Sequence, residues 1–490
     1  MVYLQDWETV RAAFQSIWGY EDFRFPQGKV IRTLLARRDA LVVMPTGGGK
    51  SVCFQLPALL QTGLTLVVSP LVALMENQVQ ELRQRQLPAA LLHSELPAGQ
   101  RRQVFQNLER QQLRLLYLSP ETLLSKPVWQ CLCQPQLQVN GLMLDEAHCL
   151  VQWGETFRPA YRRIGEVRPA LLQHKPAGSQ FAIAAFTATA DPRAQQVIQS
   201  VLKLKQPEPV LLSPYRANLR IEVQTVFTPR GRRQRLLKFI QARSRQSGLV
   251  YVRSRQDSET FAAWFRQQNL RAAAYHAGLS PSNRRRIETD WLNNRLQFVV
   301  CTSAFGMGIN KPDVRFVAHL HPPLLLSEYV QEIGRAGRDG RLSHTLLLAS
   351  EPTGWLDPED RQRQAFFEKQ LRSQRHMAQS LARCLPPQGD VAAIAKQFRE
   401  GEIALALLHS AGQLAWQGPF HYQIQPAKSS NSGSQSERSS AQTHPKQLAA
   451  MKQFITTQHC RWRFLLHHFG FKPSAKFGCD RCDNCLRRQR

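Results

Sequence analysis

The stretch "ALVVMPTGGGKS", Ala40–Ser51, decides the fold. An apolar run of strand character breaks into a glycine-rich loop, and a helical pattern follows. Backbone N–H groups of such a loop can close around phosphate oxygens. Thr46, Gly47, Gly48 and Gly49 form the cradle, Lys50 can reach β- and γ-phosphates, and Ser51 can ligate Mg²⁺. The general pattern wants glycine where Met44 stands.

Outward from this stretch the same alternation repeats. "LTLVVSP", "RLLYLSP", "GLMLDEAH" and "QFAIAAFTATA" are apolar runs that end in small or polar residues, with helical patterns between them. Such alternation implies a parallel sheet covered on both faces, with functional residues at the carboxyl ends of its strands. "SGLVYVRS", "RAAAYHAG", "QFVVCTS" and "VRFVAHL" repeat the pattern. The expected class is therefore α/β, with two doubly wound parallel-sheet lobes at residues 1–205 and 206–350. A helical, charged platform follows at 351–386.

Residues 387–425 read differently. "AAIAKQFREGEIALALLHSAG" fits two short amphipathic helices, and Leu414, Trp416, Phe420, Tyr422 and Ile424 alternate around "QGP" as a hairpin would. Two readings stay open: a winged-helix-like module, or a helical insert with one hairpin. The Ser/Gln-rich stretch 426–447 reads as a flexible linker. Residues 448–490 hold one last helix leading into a cysteine cluster.

Composition bounds the partners. The 490 residues carry 64 Lys+Arg against 36 Asp+Glu, a net charge of +28, spread along the chain. Such a field favours polyanions, either nucleic acid or an anionic membrane surface. No apolar run is long enough to span a bilayer, and "MVYLQDWETV" is no secretory signal. Ten cysteines, six of them scattered, make a poor disulfide framework and point to a reducing compartment.

Further residues carry chemistry. In "LMLDEAH", Asp145 at a strand end can hold Mg²⁺, and Glu146 is placed to orient and deprotonate an attacking water. Thr187 and Thr189 in "TATA" are candidate hydrogen-bonding links between lobes. In "EYVQEIGRAGRDG", Gln331, Arg335 and Arg338 are spaced so that one helical face could turn all three toward a phosphate. Cys460 is followed after 18 residues by Cys479-x₂-Cys482-x₂-Cys485. Four thiolates suit a tetrahedral structural Zn²⁺, although the triplet alone could also hold an iron–sulfur cluster.

"CLVQWGETFRPAY", Cys149–Tyr161, follows the acids directly. Trp153, Phe157 and Tyr161 have helical spacing, but Gly154 and Pro159 interrupt any helix. A loop with Trp153, Phe157 and Arg158 can stack on bases and meet phosphates, at roughly 1–3 kcal/mol per stacked base. His148 is placed to pass that signal to the acids, and Tyr161 is expected to pack.

The ordered set "MPTGGGKS", "VVSPLVALMENQV", "LDEAHCLVQWGETFRPAY", "TATA", "YHAGL", "AFGMGINKPDVRFVAH" and "QEIGRAGRDG" resembles RecQ-type DNA helicases of superfamily 2, over residues 17 to about 350 and again over 448–490. The resemblance implies RecA-like lobes and an ATP-driven DNA helicase of the DEAH-box kind. It implies 3′-to-5′ movement on single-stranded DNA and separation of duplex or branched DNA in recombination and repair. It assigns Lys50, Asp145, Glu146, His148, Gln331, Arg335 and Arg338 to catalysis, with Arg338 as arginine finger. "GYEDFRFPQ" matches the family's adenine segment: Tyr20 would stack on the base and Arg24 and Gln27 would hold it, although "FRFPQ" replaces "FRPGQ". Trp153, Phe157 and Arg158 match its aromatic coupling loop, and the four cysteines its zinc-binding helical hairpin. ATP, Mg²⁺ and Zn²⁺ are the implied cofactors. DNA is the implied partner, no membrane is expected, and a single-strand-binding protein is the candidate protein partner. The place of action is the cytoplasm, at the nucleoid, for a bacterial source and the nucleus for a eukaryotic one.

Many members of that family continue beyond the zinc module with a winged helix, whereas this sequence ends at Arg490. Instead, the stretch between Leu385 and Pro445 interrupts the helical platform. The expectation is that this insert substitutes for a duplex-binding module. An RNA-dependent ATPase, or a binding protein without catalysis, are the alternative functions.

Overall fold

The structure is a computed structural model that describes residues 6–152, 158–305, 311–425, 443–474 and 476–489. The chain forms two compact units. The first joins Met1–Leu212 with Arg372–Ala441, and the second joins Ser213–Leu371 with Gln442–Arg490. Among the described residues no helix is long and apolar enough to cross a membrane.

The first unit holds strands β1 (Ala40–Val43), β2 (Leu64–Val68), β3 (Ala89–Leu92), β4 (Leu115–Leu118), β5 (Val139–Leu144), β6 (Ala182–Thr187) and β7 (Glu208–Leu211). They pair in the order β3-β4-β2-β5-β6-β1-β7, and every pairing is parallel. Side chains alternate between two cores. Leu41 and Val43 join Leu66, Leu144 and Ile183 on one face, and Ala40 and Val42 join Val67, Met143 and Phe186 on the other. From β1 to β6 both faces are buried, which is why these strands are unbroken apolar runs or nearly so, whereas only Val210 of β7 is buried. β7 lies past the expected boundary at residue 205. It completes the first sheet beside β1, so the first unit runs to Leu212.

The second unit holds β8 (Leu219–Val226), β9 (Gly248–Tyr251), β10 (Ala272–Tyr275), β11 (Phe298–Cys301), β12 (Phe316–His319) and β13 (Ser343–Ser350), in the parallel order β10-β11-β9-β12-β13-β8. Its core is again split, with Tyr251, Val299 and Leu347 on one face and Val250, Phe298 and Leu346 on the other. The helix Glu359–Ala382 begins in the second unit and ends in the first.

The insert has strand β14 (Gln388–Asp390), helices Val391–Gln397 and Gly401–Ser410, and strands β15 (Leu414–Trp416) and β16 (His421–Ile424). β14, β16 and β15 make a three-stranded antiparallel sheet. Sequence reading anticipated the hairpin but not β14, whose three residues "QGD" carry no strand signal. Leu385, Val391, Ile394, Leu405, Leu414 and Tyr422 form the insert's own core.

The stretch anticipated as one final helix is two, Thr443–Thr456 and Arg461–His468. The chain breaks at Thr457–Cys460, where the Asn484 amide donates to the Thr457 and His459 carbonyls, both at 2.7 Å. The break turns Cys460 toward the other cysteines.

Candidate nucleotide site, metal site and family

Strand order places the chemistry of the first unit. β5, β6 and β1 are neighbours, so the turns that follow them share one sheet edge. Backbone bonds hold these turns in register: Asp145 N–H donates to Val68 O, Ala147 N–H to Phe186 O and Met44 N–H to Thr187 O, at 2.8–2.9 Å.

The glycine loop starts the helix Lys50–Leu60, with Gly49 as its N-cap. Gly47 and Gly49 have φ of 83° and 76°, a left-handed backbone that side chains disfavour. A Cβ on Gly48 would lie 3.1 Å from Pro45 O, and one on Gly49 would collide with the Gln27 amide. Lys50 Nζ donates to Met44 O at 3.3 Å.

Gln27, the first residue of the helix Gln27–Leu35, is buried against this loop. Its Nε2 donates to Gly48 O at 3.2 Å and to Gly49 O at 3.4 Å, and its Oε1 accepts Arg24 N–H at 2.9 Å. The altered "FRFPQ" therefore still delivers Gln27, and delivers it to the phosphate loop. Tyr20 is 53% exposed, with the Arg24 guanidinium 5.9 Å from its ring centre.

Asp145 is buried. Its Oδ2 accepts from Gln78 Nε2 at 3.1 Å and its Oδ1 from Glu146 N–H at 3.0 Å. Burial, then the adjacent Glu146, push its carboxyl up to about 6, against the pull of Lys50 and Gln78. Glu146 has φ +51°, a left-handed conformation uncommon outside glycine. His148 Nδ1 lies 3.1 Å from Thr187 Oγ1 and 3.3 Å from Glu146 Oε2. Burial lowers the His148 pKa, but contacts with Cys149 and Glu146 outweigh it and raise the group overall. Burial raises the Cys149 thiol, against the pull of His148.

Thr187 and Thr189 lie inside the first unit. Thr187 Oγ1 donates to Thr189 O at 3.1 Å and faces His148, so this hydroxyl joins the β5 and β6 turns. Trp153 and Phe157 lie outside the described residues. Arg158 is held by Glu121, Nη1 to Oε2 at 2.6 Å. Tyr161 is fully buried in the core, as anticipated. No sequence signal marked Glu121, because it meets its partner only after folding, whereas Gln78 lies within the stretch "VVSPLVALMENQV" without its contact to Asp145 being legible there.

In the second unit Gln331 lies on the helix Leu326–Ile333, but Arg335 and Arg338 do not. The expected single helical face is corrected here: the helix stops at Ile333. Gly337, at φ 61°, turns the chain so that its N–H reaches Val314 O at 2.8 Å, and Asn218 Nδ2 donates to its carbonyl at 2.7 Å. Gln331 and Arg335 are buried and Arg338 is half-buried. Glu332, between them, bonds His319 at 2.8 Å and lies 3.7 Å from Arg253. A cavity of about 600 Å³ in this unit, lined by Leu324, Arg361, Leu448 and Lys452 among others, contains none of the expected site residues.

Cys460, Cys479, Cys482 and Cys485 are buried, with all four sulfurs within 4.8 Å of one another. The Cys479 and Cys485 sulfurs are 3.9 Å apart, close to the about 3.8 Å edge of a tetrahedron with 2.3 Å metal–sulfur bonds. Backbone N–H groups of Arg461 and Cys485 point at the Cys482 sulfur, and that of Cys482 at the Cys479 sulfur. The donor set fits zinc. The module is pinned to β8: Asp483 forks onto Arg461 and accepts Val223 N–H at 3.2 Å, and Trp462 Nε1 donates to Leu219 O at 3.3 Å.

Comparison with known proteins agrees with this geometry. Family models match in order: DEAD/DEAH box helicase over residues 24–197, helicase conserved C-terminal domain over 231–340, and RecQ zinc-binding over 423–486. The last covers all four cysteines and favours zinc over an iron–sulfur cluster. An ATP-dependent DNA helicase RecQ of Synechocystis sp. is 50% identical over 484 residues, 99% of each chain. One from Haemophilus influenzae is 41% identical over 73% of this chain and 57% of its own. Among solved structures, Mycobacterium smegmatis helicase Lhr bound to ssDNA and AMP-PNP matches at a TM-score of 0.54 and 21% identity, over 70% of this chain and 48% of its own. The DEAD-box helicase Mss116 bound to ssRNA and UDP-BeF matches at 0.56 and 16%, over 70% of this chain and 73% of its own. These two likenesses speak for the fold alone. The relative that is half identical along almost its whole length decides the matter: the chain belongs to the RecQ family of ATP-dependent DNA helicases.

Proposed function

We propose that this chain is a DNA-stimulated ATPase that moves 3′ to 5′ along single-stranded DNA and separates duplex or branched DNA, in recombination and repair. One observation carries the reading. The glycine loop, the Asp145–Glu146 pair and Thr187 share the carboxyl edge of three neighbouring strands. A Cβ at Gly48 would crowd Pro45 O and one at Gly49 the Gln27 amide, and the buried Asp145 carboxyl beside the loop, its pKa raised by burial, suits a cation.

In this reading Thr46 to Gly49 and Lys50 bind the phosphates of ATP. Ser51 and Asp145 hold Mg²⁺, which when bound neutralises charge on the phosphate oxygens. Glu146 orients the attacking water and takes its proton. Tyr20 and Arg24 face the adenine, and Gln27 sets the loop. Gln331, Arg335 and Arg338 are the second lobe's contribution to phosphate charge. Trp153, Phe157 and Arg158 sense DNA, and His148 relays that contact to Glu146. The bacterial relatives favour the nucleoid in the cytoplasm as the place of action, where a single-strand-binding protein is the natural companion of exposed strands.

The test is the steady-state ATPase rate with single-stranded DNA, with RNA of the same sequence and with neither, for the natural protein and Lys50→Ala. DNA should stimulate most, and Lys50→Ala should abolish hydrolysis yet keep oligonucleotide binding. A rate indifferent to DNA, or raised more by RNA, overturns the reading.

A further inference from the structure

The insert 387–425 has the strand and helix order of a module that could place its second helix in a DNA groove. Packing excludes that use. On the helix Gly401–Ser410, Leu405 and Leu408 enter the insert's own core, while Ala404 and Leu407 pack with Ala378 of the helix Glu359–Ala382. Glu402 faces the first lobe, where it meets Arg163 at 3.5 Å. Every turn of this helix is thus covered. Charge agrees: residues 387–425 hold two cations, Lys396 and Arg399, against Asp390, Glu400 and Glu402, in a chain of +28. A groove reader is expected to be basic.

The insert instead docks on the 3₁₀ segment Pro159–Glu166 and on the helix Lys126–Leu132. Arg163 is buried, donating from Nη1 to Pro419 O at 3.2 Å while Nη2 faces Glu402. Phe420, at the tip of the hairpin, meets Trp129 edge to face at 5.2 Å and joins the first lobe's core. The docked segment begins one residue after Arg158. The stretch leaving Glu146 is thus tied to His148–Thr187 at one end and to the insert at the other.

We propose that the insert is an internal brace, with Arg163 as its positioning residue. It fixes the carboxyl-terminal anchor of the DNA-sensing stretch so that DNA contact there can alter hydrolysis. The inference rests on the function proposed above and names how its coupling is held. A mobile anchor would let the stretch bind DNA without moving Glu146, so the brace acts on coupling and leaves DNA affinity unchanged.

The test uses full-length Arg163→Ala, Glu402→Gln and Phe420→Ala proteins. Two readouts are needed: hydrogen exchange over residues 158–166, and ATPase titrated with a single-stranded oligonucleotide that offers no duplex. The brace predicts faster exchange in this segment. It also predicts a maximal DNA-stimulated rate lower by about tenfold in Arg163→Ala, with DNA-free rate and oligonucleotide affinity unchanged. Glu402→Gln and Phe420→Ala should follow with smaller losses, and they decide the matter if Arg163→Ala does not fold. Unchanged exchange, or full stimulation by the oligonucleotide with loss confined to forked DNA, overturns the brace and returns the insert to duplex reading. Failure of DNA to stimulate the natural protein would instead count against the function proposed above, because the exchange readout does not depend on it.

Discussion

Gln27→Ala should loosen the phosphate loop rather than the base pocket. The Gln27 amide makes three hydrogen bonds, two to the carbonyls of Gly48 and Gly49 and one from Arg24 N–H. A net hydrogen bond contributes about 0.5–1.5 kcal/mol, and the two loop contacts are long, so about 2 kcal/mol is at stake. If all of it serves loop order, nucleotide affinity falls by about thirtyfold. The assay is titration of ATP and GTP against a fluorescent analogue. Loop order predicts equal losses for both nucleotides, whereas a base-reading Gln27 would cost ATP alone. The Gly49→Ala protein gives a second handle, since its methyl would collide with the Gln27 amide at φ 76°. The collision is absent in the double substitution, so the two changes should couple by about 1 kcal/mol, leaving the left-handed strain. Additive losses, or a Gln27→Ala protein within twofold of the natural affinity, would refute the latch.

Asp145→Asn should stabilise the protein in EDTA at neutral pH while abolishing hydrolysis. Its carboxyl is raised from 3.8 to about 6, a cost of up to about 3 kcal/mol when ionised, and urea melts read the gain. Glu332 should make the second unit acid-sensitive. Burial raises its pKa, but Arg253 and His319 outweigh burial and hold it below the ordinary 4.5. Its stabilisation is therefore present above that value and is lost as pH falls through the folded one. Glu332→Gln should lower stability at pH 7 by about 3 kcal/mol, since the partly buried Arg253 loses its anion and the buried His319 its charged hydrogen-bond acceptor, and should shrink the difference between melts at pH 7 and pH 4. Cys485→Ser should lower bound zinc by metal analysis and speed hydrogen exchange in β8 as well as in the module, because Asp483 and Trp462 pin one to the other.

The candidate site residues were legible because phosphate and metal chemistry dictate residue types at short spacings. Glycines 47–49 and the Asp145–Glu146 pair sit in the turns that follow β1 and β5, and the four cysteines come together as a cluster. Most buried strands were legible as apolar runs, although β3 and β13, also largely buried, were not among the runs read. β8, by contrast, alternates buried and half-buried residues at the sheet edge, and β14 is three residues without apolar character. Neither could be seen before its partner strand was in place. Arg335 and Arg338 have helical spacing, yet the contacts of Gly337 with Val314 and Asn218 end the helix first. Spacing reports what a free helix would do, and tertiary bonds overruled it. A partner such as Pro419 for Arg163 is 256 residues away and leaves no local trace.

Strand separation on tailed duplexes tests the central claim most directly. Two labelled duplexes, one with a 3′ and one with a 5′ single-stranded tail, are mixed with the protein, ATP and Mg²⁺. The account predicts ATP-dependent release of the strand from the 3′-tailed duplex, little from the 5′-tailed one, and none from either with Glu146→Gln. Release without ATP, release unaffected by Glu146→Gln, or preference for the 5′ tail would contradict it.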